Sequence, residues 1–302
     1  MFQLLIGTNF PFMKYRRYAY MVSIVLTLAT LGFFFTKGPK YSVDFTGGTL
    51  LQIRTAQPMA PDDLRTSLED AGIRVELQQM TGGATNEYQL RFQSKSTDPF
   101  EDVKVAMQKA HPGTEVELRR IETVGPKVGS DLRQKAIMAV LASIGAILIY
   151  VGIRYEFKFA VGGILALFHD VLVTAGVLMF TGREISLTVI AALLTIAGYS
   201  INDTIVVFDR IRERSKALRK ETHERAMDIA VNETLSRTMI TAFTVLLTSI
   251  ALFVWGGDVL NDFSFTMIVG LVFGTFSSVY VASALALDIW LWLERRKTAS
   301  AK

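Results

Sequence analysis

The chain has 302 residues, of which half are hydrophobic, a mean hydropathy of +0.34 and a net charge of +4. These values predict several membrane spans and one sizeable soluble part, and they exclude an ordinary soluble protein. The basic residues stand in short clusters beside apolar runs, which is typical of membrane topology and not of nucleic-acid binding. Because the chain has no cysteine, disulfides, thiolate nucleophiles and cysteine-ligated metals are excluded.

The N-terminal residues 1–17 combine short apolar patches with Lys14, Arg16 and Arg17. This pattern predicts a cytoplasmic segment that lies at the membrane interface, and a frayed terminus fits it equally well. Residues 18–36 then form an apolar run that is long enough to cross a bilayer, which we call TM1. No small-x-small cleavage site follows it, so we interpret it as an uncleaved helix and not as a signal peptide.

Residues 37–133 are polar and predict one soluble domain. Two segments begin with a proline, at Pro61 and Pro99, and carry apolar residues four apart, which indicates helices. Four segments alternate apolar and polar residues, which indicates strands. Their order, β-α-β-β-α-β, is that of the ferredoxin-like arrangement. The predicted fold class is therefore a polytopic α-helical membrane protein of six transmembrane helices, with one ferredoxin-like α+β domain between the first two.

Five further apolar runs predict the remaining spans, at residues 134–153 (TM2), 158–181 (TM3), 185–209 (TM4), 237–256 (TM5) and 263–293 (TM6). Residues 210–236 predict a cytoplasmic loop with an amphipathic helix, residues 257–262 a periplasmic loop and residues 294–302 a cytoplasmic tail. The basic clusters follow TM2, TM4 and TM6. By the positive-inside rule, both termini are cytoplasmic and the soluble domain is periplasmic.

The apolar run of TM4 contains three polar residues, Ser200, Asn202 and Asp203. A carboxylate at membrane depth costs several kcal/mol unless it faces protein or water and finds a partner. Arg210 marks the interface, and seven helical residues at about 1.5 Å each place Asp203 about 10 Å inside it. Asp203 is therefore the first candidate for function, although a carboxylate that reaches the interface is the alternative.

Arg237 is the predicted partner of Asp203. Both residues are equidistant from Lys220, so a helical hairpin would place them at similar depth, where charges usually pair. The alternative for Arg237 is an interfacial arginine whose side chain extends to the membrane surface.

His169 and Asp170 lie near the middle of TM3. A proton path and a buried hydrogen-bonded tie between helices both explain a histidine and an aspartate at this depth. In TM6, Gly270-Leu-Val-Phe-Gly274 has the GxxxG spacing of a close helix-packing face, which Ser277 and Ser278 would extend.

No catalytic motif is apparent. The sequence lacks HExxH and GxSxG, its three histidines are not spaced to bind zinc, and no glycine loop of the phosphate-binding type is present. We therefore predict that the chain is not an enzyme and uses no cofactor or metal. An intramembrane protease using Asp170 and Asp203 remains arithmetically possible, but no flanking residue favours it.

Four segments together resemble the SecD/SecF family of bacterial protein-export membrane proteins. They are Asp44-Phe-Thr-Gly-Gly-Thr49, Val124-Gly-Pro-Lys-Val-Gly129, His169-Asp170 and the long stretch from Gly198 to Glu213. The resemblance covers nearly the whole chain, and the small outer domain is similar to that of the SecF side of the family.

The resemblance implies a bacterial inner-membrane protein, similar to the RND superfamily, that uses the proton-motive force to promote preprotein export. The implied partners are SecD, SecYEG, SecA, the preprotein and membrane lipids, with YajC as a further candidate. Asp203 matches the proton-path aspartate of the family and Arg237 its basic partner. Four glycines near the outer domain are expected hinges: Gly47, Gly48, Gly125 and Gly129.

Two other functions compete with this interpretation. One is an RND-type proton antiporter of small molecules or lipids, which would also need charges in the membrane. The other is a non-catalytic scaffold for SecD, which predicts that Asp203 and Arg237 tolerate neutral substitution.

Overall fold

The computed structural model describes residues 7–80, 86–94, 96 and 98–300. The first six residues of the predicted N-terminal segment lie outside this part of the chain. The described chain divides into two compact units. One is Tyr41–Ile137, and the other combines Met1–Lys40 with Met138–Lys302.

The first long helix, α1 (Arg16–Thr36), follows a short 3-10 turn at Met13–Tyr15. The soluble unit then contains, in chain order, α2 (Val43–Thr46), β1 (Gly48–Thr55), α3 (Pro61–Asp70), β2 (Glu76–Gln79), β3 (Glu87–Phe92), α4 (Pro99–Ala110) and β4 (Val116–Val124). The strands form one sheet in the order β2-β3-β1-β4, with every neighbouring pair antiparallel. The predicted β-α-β-β-α-β domain is confirmed.

The core of this unit explains why the sequence folds in this way. Leu64 and Leu68 lie one turn apart on α3 and are completely buried, because the helix turns the same face to the sheet every 3.6 residues. Leu51 lies in the middle of β1, opposite Leu90 of β3 and Ile121 of β4. At the start of α4, the Asp98 carboxylate accepts a hydrogen bond from the Glu101 amide at 3.1 Å and so caps the helix.

The remaining long helices are α5 (Pro126–Arg154), α6 (Phe157–Phe180), α7 (Leu187–Ala217), α8 (His223–Trp255), α9 (Gly257–Phe276) and α10 (Ser283–Ser300). A π-helical turn, Ser277–Ala282, joins α9 to α10 without a break in the chain direction. Six stretches of the described chain are long and apolar enough to cross a membrane, the last running from Leu260 to Ala299. The six predicted membrane helices are therefore confirmed.

The α7–α8 hairpin differs from the expected loop with a separate amphipathic helix at residues 210–236. Helix α7 continues to Ala217 and α8 begins at His223, so residues 218–222 alone connect them. No glycine or proline interrupts this region, and the Thr222 hydroxyl caps α8 by accepting a hydrogen bond from the Arg225 amide at 3.2 Å. The amphipathic residues thus extend the two spans.

The described part of the N-terminal segment packs on α8. Phe12 and Met13 are buried, and the Met13 amide donates to Asp228 Oδ1 at 2.9 Å. Asn232 binds the backbone of Phe10 twice, since its Nδ2 donates to the Phe10 carbonyl and its Oδ1 accepts from the Phe10 amide, both at 2.9 Å. These contacts fix the segment that precedes α1.

Candidate functional site

Asp203 lies on the buried face of α7, with 7% of its surface exposed. Its Oδ1 accepts a hydrogen bond from the Thr238 hydroxyl of α8 at 2.6 Å. Its Oδ2 is buried and has no hydrogen-bond partner among the described residues. The Ser278 hydroxyl of the π-helical turn lies beside the same carboxyl group. A buried carboxyl group with one unsatisfied oxygen is costly, so its position calls for a functional explanation.

Arg237 precedes Thr238 on α8 but takes a different position. Its side chain is exposed, and none of the described acidic residues forms an ion pair with it within 4.0 Å. It is close enough to act on Asp203 through a coulombic interaction. The hairpin therefore brings residue 238 opposite residue 203, and Arg237 lies at the edge of this contact. A direct Asp203–Arg237 pair stays a prediction.

His169 and Asp170 form a second polar centre, on α6. Asp170 is completely buried, and its Oδ2 accepts hydrogen bonds from the Ser200 hydroxyl at 2.5 Å and from the Ser277 hydroxyl. Its Oδ1 lies 3.0 Å from His169 Nδ1. The other ring nitrogen of His169, Nε2, is buried and has no partner among the described residues. We call these four residues the Asp170 cluster.

Hydroxyl groups of α7 and of the π-helical turn lie beside both carboxyl groups. The Thr204 and Ser278 hydroxyls lie 3.0 Å apart, and Ser278 donates to the Gly274 carbonyl at 3.0 Å. Ser200 is three residues from Asp203 on α7, so Asp170 and Asp203 lie about one helical turn apart in depth. The polar residues of α6, α7 and the π-helical turn thus belong to one continuous region.

The predicted packing face of TM6 explains how these helices approach so closely. A Cβ atom on Gly274 would lie 3.4 Å from Ser200 Cβ and 3.8 Å from Asp170 Oδ2. On Gly270, the same atom would collide with the Ile196 side chain. Both glycines of the GxxxG pattern are therefore in close contact with neighbouring helices, as the small-residue pattern predicts.

The other predicted site residues have different surroundings. Asn202 is exposed on α7. Gly47 and Gly48 have positive φ angles of 71° and 115°. A Cβ on Gly47 would lie 3.0 Å from Pro126 Cα, and one on Gly129 would lie 3.0 Å from the Gly47 nitrogen. A Cβ on Gly48 would lie 3.1 Å from the Phe92 carbonyl oxygen, so three of the four expected hinge glycines permit close backbone contact, whereas a Cβ on Gly125 would meet nothing within 4 Å.

Two contacts at the site were not predicted from the sequence. Thr238 is the hydrogen-bond donor to Asp203, and Ser277 is a donor to Asp170. Ser277 was singled out for packing alone. The signal for Thr238 was its position next to Arg237 in a hairpin, since a contact between two helices extends over neighbouring residues. Within the described chain, no group of three His, Asp or Glu side chains could hold a metal ion.

Comparison with known proteins identifies the family. A family model described as protein export membrane protein SecD/SecF, C-terminal, matches residues 103–292. A second model, the SecD/SecF GG motif, matches residues 32–59. The chain is 42% identical to protein translocase subunit SecF of Pseudomonas aeruginosa, over 95% of this chain and 92% of that protein.

A longer relative matches along part of its length. The chain is 40% identical to protein translocase subunit SecDF of Thermus thermophilus over 98% of this chain, which is 40% of that protein. The crystal structure of SecDF from the same organism, described as a translocon-associated membrane protein, has a TM-score of 0.85 and 39% identity. That likeness covers 96% of this chain and 40% of the SecDF chain. With its six apolar helices and its α+β domain, this multi-pass chain belongs to the SecF branch of the SecD/SecF family of protein export membrane proteins.

Proposed function

We propose that this chain acts with SecD as a proton-coupled subunit that promotes preprotein export. In this function, SecD and the chain complete one membrane bundle in the bacterial inner membrane. The complex uses the proton-motive force on the periplasmic side, after SecA has driven the preprotein through SecYEG. The longer SecDF relative supports a SecD partner, because this chain corresponds to 40% of it. The buried, half-satisfied carboxyl group of Asp203 is the observation that carries the proposal.

Asp203 would bind and release a proton supplied by water that enters the bundle. The ionised form carries a negative charge at membrane depth, which is costly unless Thr238 and a positive charge compensate it. The protonated form is neutral and needs no positive partner. Because the two forms favour different surroundings, each proton that binds or leaves would shift the preferred packing of the α7–α8 hairpin against its neighbouring helices.

The ionic contacts at one end of the bundle support a cytoplasmic position for that end. Arg210 and Arg214 both donate to the Glu233 carboxylate, with the closest contacts at 2.7 and 2.6 Å. Arg154 pairs with Asp209 at 3.3 Å. By the positive-inside rule, the end with these arginines faces the cytoplasm. The soluble unit would then be periplasmic.

The proposal can be tested with inverted membrane vesicles that contain SecYEG, SecD and this chain. The measurement is the translocation of a preprotein, driven by SecA and ATP, with and without a proton gradient. We expect Asp203→Asn to abolish the gradient-dependent part, because an amide keeps the shape and accepts the Thr238 hydrogen bond but does not carry a proton. Translocation without the gradient should not change.

The matched control is Asp288→Asn, on α10. Asp288 accepts a hydrogen bond from the Tyr20 hydroxyl at 2.8 Å and pairs with Arg16, so it is a carboxylate in a purely structural contact. Co-purification with SecD checks that each variant assembles. Unchanged gradient-dependent translocation in an assembled Asp203→Asn complex would refute the proposal and leave the chain as a scaffold.

A further inference from the structure

The Asp170 cluster joins three separate parts of the membrane unit through one carboxyl group. Asp170 belongs to α6, Ser200 to α7 and Ser277 to the π-helical turn. Turns of this type occur mostly as single turns inside α-helices, frequently at functional sites. The cluster therefore connects the helix of Asp203 to the one irregular turn in the last span of the described chain.

The hydrogen bonds of Asp170 differ between its two protonation states. An ionised carboxylate only accepts hydrogen bonds, and its two oxygens accommodate all three donors of the cluster. A protonated carboxyl group must itself donate one bond. If Oδ2 carried the proton, it would donate to one serine oxygen and accept from the other, so one of these hydrogen bonds would reverse its direction, as Ser277 could because its hydroxyl also reaches the Gly274 carbonyl at 3.1 Å.

His169 is the basic side chain that lies within 4.0 Å of Asp170 in the described part of the chain. A completely buried carboxylate without a positive partner is very unfavourable, and a protonated imidazole 3.0 Å away would compensate it. No other charged side chain of the described residues lies within 4.0 Å of Asp170. The nearest elements carry other titratable side chains that contact different groups: Asp203 on α7, Tyr280 in the π-helical turn, Tyr20 on α1 and Asp288 on α10.

We infer that the His169–Asp170 pair is a second proton-binding site, and that its protonation controls how strongly α6 is bound to α7 and to the π-helical turn. The inference rests on the proposed proton-coupled function. When Asp170 is ionised, the two serine hydroxyls donate to Oδ2 and link α6 to α7 and to the π-helical turn. When a proton binds to Oδ2, the carboxyl group becomes neutral and one serine bond reverses its direction, so both bonds lose the charge that strengthens them and the π-helical turn is held less firmly.

The Asp170→Asn variant distinguishes proton binding at Asp170 from a purely structural contact between the helices. The amide oxygen accepts the two serine hydrogen bonds and the amide nitrogen donates to His169 Nδ1, so the contacts persist without a proton-binding group. We expect the variant to assemble with SecD, to keep its thermal unfolding midpoint, and to lose the gradient-dependent part of preprotein translocation. Full gradient-dependent translocation in the assembled variant would overturn the inference.

Asp203→Asn and the Asp288→Asn control are measured in parallel. If Asp203→Asn is inactive and Asp170→Asn is fully active, the proposed function stands and the second site is refuted. If both are fully active, both proposals fail. If only Asp170→Asn is inactive, the Asp203 mechanism fails and the second site is supported. If Asp170→Asn does not assemble, His169→Gln is measured in its place. Glutamine keeps a hydrogen-bond donor but does not take up a proton, so we expect the same loss of gradient-dependent translocation.

Infrared difference spectroscopy of the purified complex at two pH values gives an independent readout. Protonation of a buried carboxyl group produces a carbonyl stretching band. A carboxyl group that only holds the helices together, without binding a proton between the two pH values, would not produce this band. We expect a band that Asp170→Asn removes and Asp203→Asn retains. A spectrum that is unchanged in Asp170→Asn would refute proton binding at this site.

Discussion

At Asp203, the two carboxylate oxygens have different surroundings. Oδ1 is held by the Thr238 hydroxyl, whereas Oδ2 has no hydrogen-bond partner among the described residues. The same asymmetry is absent at Asp170, where both oxygens accept hydrogen bonds. At the residue scale, Asp203 is therefore the carboxyl group with one unsatisfied oxygen, and Thr238 is the side chain that orients it.

Thr238→Val tests this orienting role. Valine keeps the shape of threonine and removes the donor, and the loss of a hydrogen bond to a charged group costs about 1.5–3 kcal/mol. We expect gradient-dependent translocation to fall about tenfold, since each 1.4 kcal/mol is a factor of about ten. Thr238→Ser keeps the hydroxyl and should remain close to the native activity. Equal activity of the valine and serine variants would show that the hydrogen bond is not needed.

At the scale of elements, the turn between α2 and β1 depends on its glycines. Gly47 has a positive φ of 71° and approaches the backbone of Pro126, at the start of α5. A side chain there meets backbone atoms, which cannot rotate away. The backbone conformation of Gly47, with φ of 71° and ψ of 171°, is essentially restricted to glycine and costs about 1–3 kcal/mol for a residue with a Cβ.

We therefore expect Gly47→Ala to lower the thermal unfolding midpoint of the purified chain. Gly125→Ala is the matched control, since its Cβ meets nothing within 4 Å and its φ is not in the left-handed region. The midpoint can be followed by circular dichroism or by the onset of aggregation. If both alanine variants melt at the same temperature, the close contact at Gly47 does not contribute to stability.

The N-terminal segment is a second element held by few contacts. Asn232 makes both hydrogen bonds to Phe10, so Asn232→Ala removes them together. We expect faster tryptic cleavage after Lys14, because the segment detaches from α8. Arg225→Ala removes an exposed hydrogen bond to Asn9 and serves as control, since exposed contacts contribute little. Equal cleavage rates in both variants would refute this assignment.

The elements that could be predicted from the sequence are those with local signals. Proline at the first helical positions, alternation in the strands and apolar runs of membrane length predicted the α+β domain and six spans. The contacts of Asp170 could not be predicted, because Ser277 is 107 residues away and its orientation depends on a π-helical turn that no local pattern indicates. Arg237 was predicted as a partner from depth alone, and depth does not determine the rotation of α8 that brings Thr238 to Asp203.

At the scale of the whole molecule, α8 is the least covered part of the candidate site. Its face carries Arg237 and a row of exposed apolar residues, among them Phe243 and Leu247. An exposed arginine in a membrane span costs about 2.5–3.5 kcal/mol on insertion scales. A second protein that covers this face would remove that cost, and in the proposed function that protein would be SecD.

We therefore expect Arg237→Leu to act in opposite directions on the isolated chain and on the complex. The thermal unfolding midpoint of the chain alone should rise, because the unpaired charge is gone. Gradient-dependent translocation with SecD should be lost, because Asp203 has no positive charge beside it. Arg183→Leu, at a residue that binds Asn261 and Asp262, should lower the midpoint instead. A lower midpoint for Arg237→Leu would contradict the exposed position.

The α7–α8 hairpin is fastened at two levels, by Glu233 with its two arginines and, further along, by Thr238 with Asp203. Two attachments at different depths prevent α7 and α8 from moving apart. While the Glu233 contacts hold, a change of charge at Asp203 therefore does not change the position of α7 relative to α8. The displacement must appear where the hairpin meets α6 and α9, so the hairpin moves as one stiff body, and the helices around it absorb the motion.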